Sequence, residues 1–264
     1  MTAVLWPMTA PDAAGTNLTH CPKLVVMDLL GTLVEHDRAV RGALAAAFQA
    51  HGETIDEDVA SIAIGFPGLV GVERILRWLH PSELPHLDSV HSIHDLAVKE
   101  LVRLVKYADG IQPSHGVERL CRIWHAVGIQ VAVTTTLHGD VVKPLLRRFG
   151  WDETPPFSAL VLSEEVERPT PGPDMILESM RRCGVGGVHE VAKAASRAIG
   201  LADAKNLGCG WTVLVDDGTL TTDQIAALGP SAIVDQTEDL LHIWTLPKPL
   251  DMALDDEIAK VVRC

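Results

Sequence analysis

Short apolar runs without polar alternation recur along this chain, at Leu24-Val25-Val26-Met27, Val131-Ala132-Val133, Leu160-Val161-Leu162, Val213-Leu214-Val215 and Ala232-Ile233-Val234. A strand that is apolar at every position is buried on both faces, which a sheet covered by helices on both sides provides. From Gly110 onward, helical stretches lie between these runs, so the pattern predicts an α/β fold with a doubly wound, Rossmann-like parallel sheet. Segments near 24, 131, 160, 191, 213 and 233 would build it. Between the first run and Gly110 the period changes. Ala43, Leu44, Ala47 and Phe48, then Ile75, Leu76 and Leu79, then Leu96, Leu101, Leu104 and Val105 fall three and four apart, the spacing of amphipathic helices. An all-helical unit is therefore expected over 37–107, inserted into a core formed by 20–36 and 108–246. Residues 1–19 and 247–264 read as terminal extensions, the second with one short helix, and the chain has no internal repeat or low-complexity segment.

A chain of 264 residues with 47% apolar composition can bury one large core and carry a smaller second unit. Its 35 acidic side chains against 22 Lys and Arg, a net charge of -13, would repel nucleic acid and anionic membrane surfaces. Cys21, Cys121, Cys183, Cys209 and Cys264 are scattered and odd in number, without the pairing of a zinc site or a disulfide framework, and read as reduced thiols. No stretch reaches the ~18 apolar residues of a membrane span. The start lacks the basic segment and apolar run of a secretory leader, so a cytoplasmic location is the expectation.

In an open parallel sheet, ligands bind beyond the carboxyl ends of the strands, where strand order reverses. Residues at those ends are the candidates. The first strand delivers Asp28-Leu29-Leu30-Gly31-Thr32, the second Thr134-Thr135, and the loop before the helix starting near Asp174 carries Arg168-Pro169-Thr170-Pro171. A carboxylate nucleophile, a hydroxyl donor and a fixed cation are what a covalent mechanism on an activated anionic substrate requires. Each also has a plainer reading: Asp28 as the cap of the next turn, Thr134 as a strand former, Arg168 as a solvated loop cation.

Asp28-Leu29-Leu30-Gly31-Thr32-Leu33 resembles the nucleophile motif of the haloacid dehalogenase superfamily. Thr134 looks like its hydroxyl motif. Glu167-Arg168-Pro169-Thr170-Pro171 with Asp174-Met175-Ile176 looks like the cation motif in its phosphonatase-like form. The likeness runs from about Leu24 to Leu241 and includes Ile129 to Trp151 with Asp140-Val141-Val142 and Phe149-Gly150-Trp151. It implies that Asp28, Thr134 and Arg168 are catalytic, that Leu30, Gly31, Thr32, Thr135, His138 and Phe66 contact substrate, and that the helical insertion is a cap selecting a small acidic metabolite.

Three departures qualify that implication. The family's general acid/base Asp, two residues after the nucleophile, is Leu30 here. The cap stretch Ile64-Gly65-Phe66-Pro67-Gly68-Leu69-Val70-Gly71 lacks the lysine with which phosphonatases form a Schiff base. The run Val191 to Gly200 aligns with the metal motif, yet its two acids have become Ser196 and Gly200. Magnesium needs near-octahedral oxygen ligation, so the expected cofactor is none, or weakly bound Mg2+ on Asp28 alone. Asp216-Asp217 and Asp223 are alternative acids, but they sit one strand too far along. The cap histidines His36, His80, His86, His91 and His94 lack metal-site spacing and are expected at the surface, with His138 near the pocket.

Two function classes remain. One is a hydrolase acting through Asp28 on a phosphorylated, phosphonate or related metabolite. The other is a repurposed pocket that binds or rearranges a small acidic metabolite, or regulates a partner, without hydrolysis. The oligomeric state is not legible, a homodimer being one arrangement.

Overall fold

The computed structural model describes residues 21–35 and 37–244. Strand β1 (Leu24–Asp28) leads through a turn into the two-residue strand β2 (Val34–Glu35), after which the chain leaves the core for helices α1 (Asp37–Ala50), α2 (Glu57–Ser61), α3 (Gly68–Leu79) and α4 (Leu87–Tyr107). It returns through β3 (Gln112–Pro113), then α5 (Val117–Ala126), β4 (Gln130–Thr135), α6 (Gly139–Phe149), β5 (Ala159–Leu162), α7 (Asp174–Cys183), β6 (Val191–Ala195), α8 (Ala198–Leu207), β7 (Trp211–Val215), α9 (Thr222–Leu228) and β8 (Ala232–Val234). The five strands expected from the apolar runs, and the sixth expected near 191, are present. The short helix expected near the end of the chain lies outside the described residues.

The main sheet is parallel, with order β5-β4-β1-β6-β7-β8. The chain moves from β1 outward to β4 and β5, then crosses back to β6 and on to β7 and β8, so the direction of travel reverses beside β1. That reversal opens a crevice at the carboxyl ends of β1, β4 and β6. The runs 24–27, 131–134 and 191–195 are all buried, as strands with helices on both faces must be.

The insertion between β2 and β3 is all-helical and has a core of its own, built on Phe48, Val59, Val72, Ile75 and Ile93. Its first and last helices do not stay within that core. Ala43 of α1 and Leu101 and Val105 of α4 join the main core instead, so the cap is anchored through its two end helices. The two points where the chain leaves and re-enters are tied together, β2 pairing antiparallel with β3 through Val34 with Pro113 and Glu35 with Gln112. Among the described residues, no helix is long and apolar enough to cross a membrane.

Candidate active site

Strand register decides which side chains meet. β1 aligns Asp28 with Thr134 on one side and Val26 with Lys193 on the other. Register partners in a pleated sheet share a face, and so do residues two apart on one strand; Val26, Asp28, Thr134 and Lys193 therefore all point the same way. Lys193 starts level with Val26, about 6.6 Å short of Asp28 at 3.3 Å per residue, a gap that its four-carbon stem spans. Its Nζ donates to Asp28 Oδ1 at 2.5 Å and to Thr134 Oγ1 at 2.8 Å, while Thr134 Oγ1 donates to the same Oδ1 at 3.1 Å.

Lys193 has 1% of its side chain exposed, against 26% for Asp28. Burial works against its charge, but attraction to Asp28 and Asp203, with the hydrogen bond to Asp28, outweighs burial and holds its pKa above the ordinary lysine value. The ammonium is thus a permanent internal cation. Asp203, on α8, completes the cluster: its Oδ2 accepts from Thr170 Oγ1 at 3.0 Å and its Oδ1 has no hydrogen-bond partner. Burial, then repulsion from Asp28, lift Asp203 to about 6 against the pull of Lys193 and Thr170. Cys209 lies close by, but its thiol is pushed up to about 12 by burial and Asp203, which keeps it protonated at neutral pH.

Asp28 forms the floor of a partly open cavity of about 110 Å³ beneath the cap. Leu30, Thr134, Thr135, His138 and Phe66 line it, as expected from the sequence, and so does Gly200. Gly31 and Thr32 do not. Gly31, at φ 79°, turns the chain away from the cavity so tightly against Ser196 that a Cβ there would lie 2.1 Å from Ser196 Oγ. Thr32 follows it into full burial, where its carbonyl accepts from Thr237.

Arg168 is not brought to Asp28. Asp174 captures it through the Arg168 backbone N–H at 2.9 Å and the guanidinium at 2.7 Å, leaving 67% of the arginine side chain exposed. The hydrogen bonds to Asp174 raise the Arg168 pKa above its usual value. The cation in contact with Asp28 is Lys193, in the segment whose acids had drawn attention at Ser196 and Gly200. The signal was a lysine inside the buried run Val191-Ala192-Lys193-Ala194-Ala195. A second residue the sequence reading put at the surface, His94 of α4, also lines the cavity, with 16% of its side chain exposed and its ring 6.0 Å from that of His138. Burial, followed by the nearness of His138, lowers the His94 pKa.

The residues around Asp28 do not fit a magnesium ion. Gly200 supplies no side-chain oxygen, and its backbone lies so near Asp28 that a Cβ there would sit 2.6 Å from Asp28 Oδ2. Ser196 offers one buried hydroxyl without a hydrogen-bond partner. One carboxylate and one hydroxyl fall short of the oxygen set a hard divalent cation requires, and among the described residues no group of three or more His, Cys, Asp or Glu could hold a metal. Asp217 does not fill the gap, being paired with Arg197 at 3.1 Å.

The sequence matches the haloacid dehalogenase-like hydrolases over residues 22–194. The chain belongs to that family. No curated protein matches it. Among solved structures, the haloacid dehalogenase-like fold here is similar to CbbY from Rhodobacter sphaeroides in complex with xylulose-(1,5)bisphosphate, at 25% identity and TM-score 0.68 over 83% of this chain and 96% of that one. A phosphonoacetaldehyde hydrolase-like protein from Oleispira antarctica shares 19% identity with TM-score 0.70, covering 93% of this chain and 94% of that one. A predicted phosphoglycolate phosphatase from Haemophilus somnus 129pt shares 20% with TM-score 0.70, covering 84% and 97%. At these identities the likeness is one of fold.

Proposed function

We propose that this protein hydrolyses a small anionic metabolite, a phosphoester, phosphonate or related compound, through covalent catalysis by Asp28 without tightly bound magnesium. The observation that carries this reading is the buried cluster in which Lys193 and Thr134 both donate to Asp28 Oδ1. With Oδ1 committed, Oδ2 is the attacking oxygen. It forms a bond to phosphorus as the bond to the leaving group breaks, the leaving group departs with the electron pair, and water then cleaves the aspartyl intermediate. Lys193 supplies a fixed positive charge that needs no reorganisation as charge moves through the site. Leu30 cannot deliver a proton to the leaving group, so the reading favours substrates whose leaving group is stable as an anion. Arg168, expected as the catalytic cation, has no part in it.

A repurposed, non-hydrolytic pocket is the second reading. The 2.5 Å ion pair between Lys193 and Asp28 favours it, since a charge so closely neutralised is a weaker nucleophile. Steady-state hydrolysis of a set of small phosphoesters by the native chain and by Asp28→Asn separates the two. Covalent catalysis predicts a loss of several orders of magnitude with the far-UV circular dichroism unchanged. Absence of hydrolysis by the native chain would leave the repurposed pocket, and full activity in the Asn variant would rule out Asp28 as the nucleophile.

A further inference from the structure

The cavity is closed on top by Leu44, Phe66, Val72, Ala97 and Leu101 of the cap and flanked below by Met175, with polar atoms concentrated at its floor around Asp28, Thr134 and Thr135. Its charges are already spoken for. Lys193 is neutralised by Asp28. Arg197, the one Lys or Arg among the described residues lining the cavity, is held by Asp217 at 3.1 Å and donates to Thr219. His94 is burdened against protonation by its burial. A ligand with several hydroxyls or two phosphate groups would leave water for walls that are mainly apolar, with only a few polar groups such as His94, His138, Thr136 and Thr170, and unpaired polar groups are what apolar sites reject. The volume, about 110 Å³ in a cavity that is partly open to solvent, is of the order of the ~150 Å³ that holds one benzene ring, so there is room for one small body and not for a larger polar one.

We propose, resting on the hydrolase reading, that the substrate is a monoester with one anionic head at Asp28 and a short aromatic body under the cap, and not a sugar phosphate or bisphosphate. The cap loop contributes shape to this selection and no charge: Gly65, at φ +86°, brings it against Ile199 so closely that a Cβ would lie 2.6 Å from the Ile199 side chain.

Two measurements on the full chain test this. In the first, kcat/KM is compared for phenyl phosphate and 4-methylphenyl phosphate against 3,5-dihydroxyphenyl phosphate and 4-(hydroxymethyl)phenyl phosphate, all esters of phenols and so alike in leaving group while differing in the polarity of the body. The hydrocarbon esters are expected to lead by at least about tenfold, the discrimination an apolar pocket gives for one or more misplaced groups. In Ala97→Leu, which fills the roof without touching Asp28, Thr134 or Lys193, phenyl phosphate should lose about tenfold or more in kcat/KM. In the second, calorimetry compares binding of phenylphosphonate and glucose 6-phosphate to the unaltered protein, a comparison that holds whether or not Asp28 forms a covalent intermediate. Tighter binding of phenylphosphonate, weakened by Ala97→Leu, supports the inference even if hydrolysis fails. Equal or tighter binding of the sugar phosphate, binding of neither, or indifference of phenyl phosphate to Ala97→Leu overturns it.

Discussion

At the residue scale, Asp28 and Thr134 were legible because they end adjacent strands in register, and a strand end in a parallel sheet is where chemistry is placed. Lys193 was not, because its backbone lies two residues back from the nucleophile and only the length of its side chain brings the charge forward. His94 escaped for a related reason: helical spacing reports which face it occupies, but not that the face roofs a cavity. The Lys193–Asp28 pair gives the first prediction. Lys193→Met leaves a buried carboxylate without its counter-charge and should cost ~3–5 kcal/mol in a denaturant titration, as breaking a buried pair does. The same change in Asp28→Asn should cost clearly less, a double-mutant cycle with positive coupling; equal costs in the two backgrounds would show that the pair is not what stabilises the cluster.

Asp203 gives the second. Its pKa of about 6 in the fold lies above its unfolded value near 3.8, so its contribution favours the folded state fully below pH ~4 and is lost as pH rises through ~6. About two units correspond to ~3 kcal/mol of stability surrendered by neutral pH. Asp203→Asn should remove that loss, so the variant's Tm relative to the native chain rises between pH 4 and 6 and stays higher at pH 7. A difference in Tm that does not change over this window would contradict the assignment.

At the scale of elements, five of the six strands and the helical character of the insertion were readable from period alone, because buried strands and amphipathic helices carry different apolar spacings, whereas the strand at 191 came from the motif alignment. The pairing of β2 with β3 was not, since two-residue strands have no period. Nor was the capture of Arg168: the motif spacing placed a cation before α7, but Asp174 in the first turn of that helix draws the guanidinium outward. Arg168→Ala is accordingly expected to leave kcat unchanged and to have little effect on the melting temperature, as an exposed pair does. A fall in kcat comparable to that of Asp28→Asn would return Arg168 to the catalytic machinery.

At the scale of the whole molecule, a helical cap anchored through α1 and α4 closes over a sheet whose strand order reverses beside Asp28, and the site between them carries an internal ammonium where one expects a divalent ion to share the work. Ser196 and Gly200 were expected from the sequence to be poor metal ligands; the lysine beside Asp28 required the structure. The most direct test of this account is a single-turnover reaction with a labelled aryl phosphate in the presence of a strong chelator, quenched in acid and digested for mass spectrometry. The account predicts a phosphoryl group on the peptide containing Asp28, formed at the same rate with or without added magnesium and absent in Asp28→Asn. An adduct that forms only when magnesium is restored, or product released with no adduct on Asp28, would contradict it.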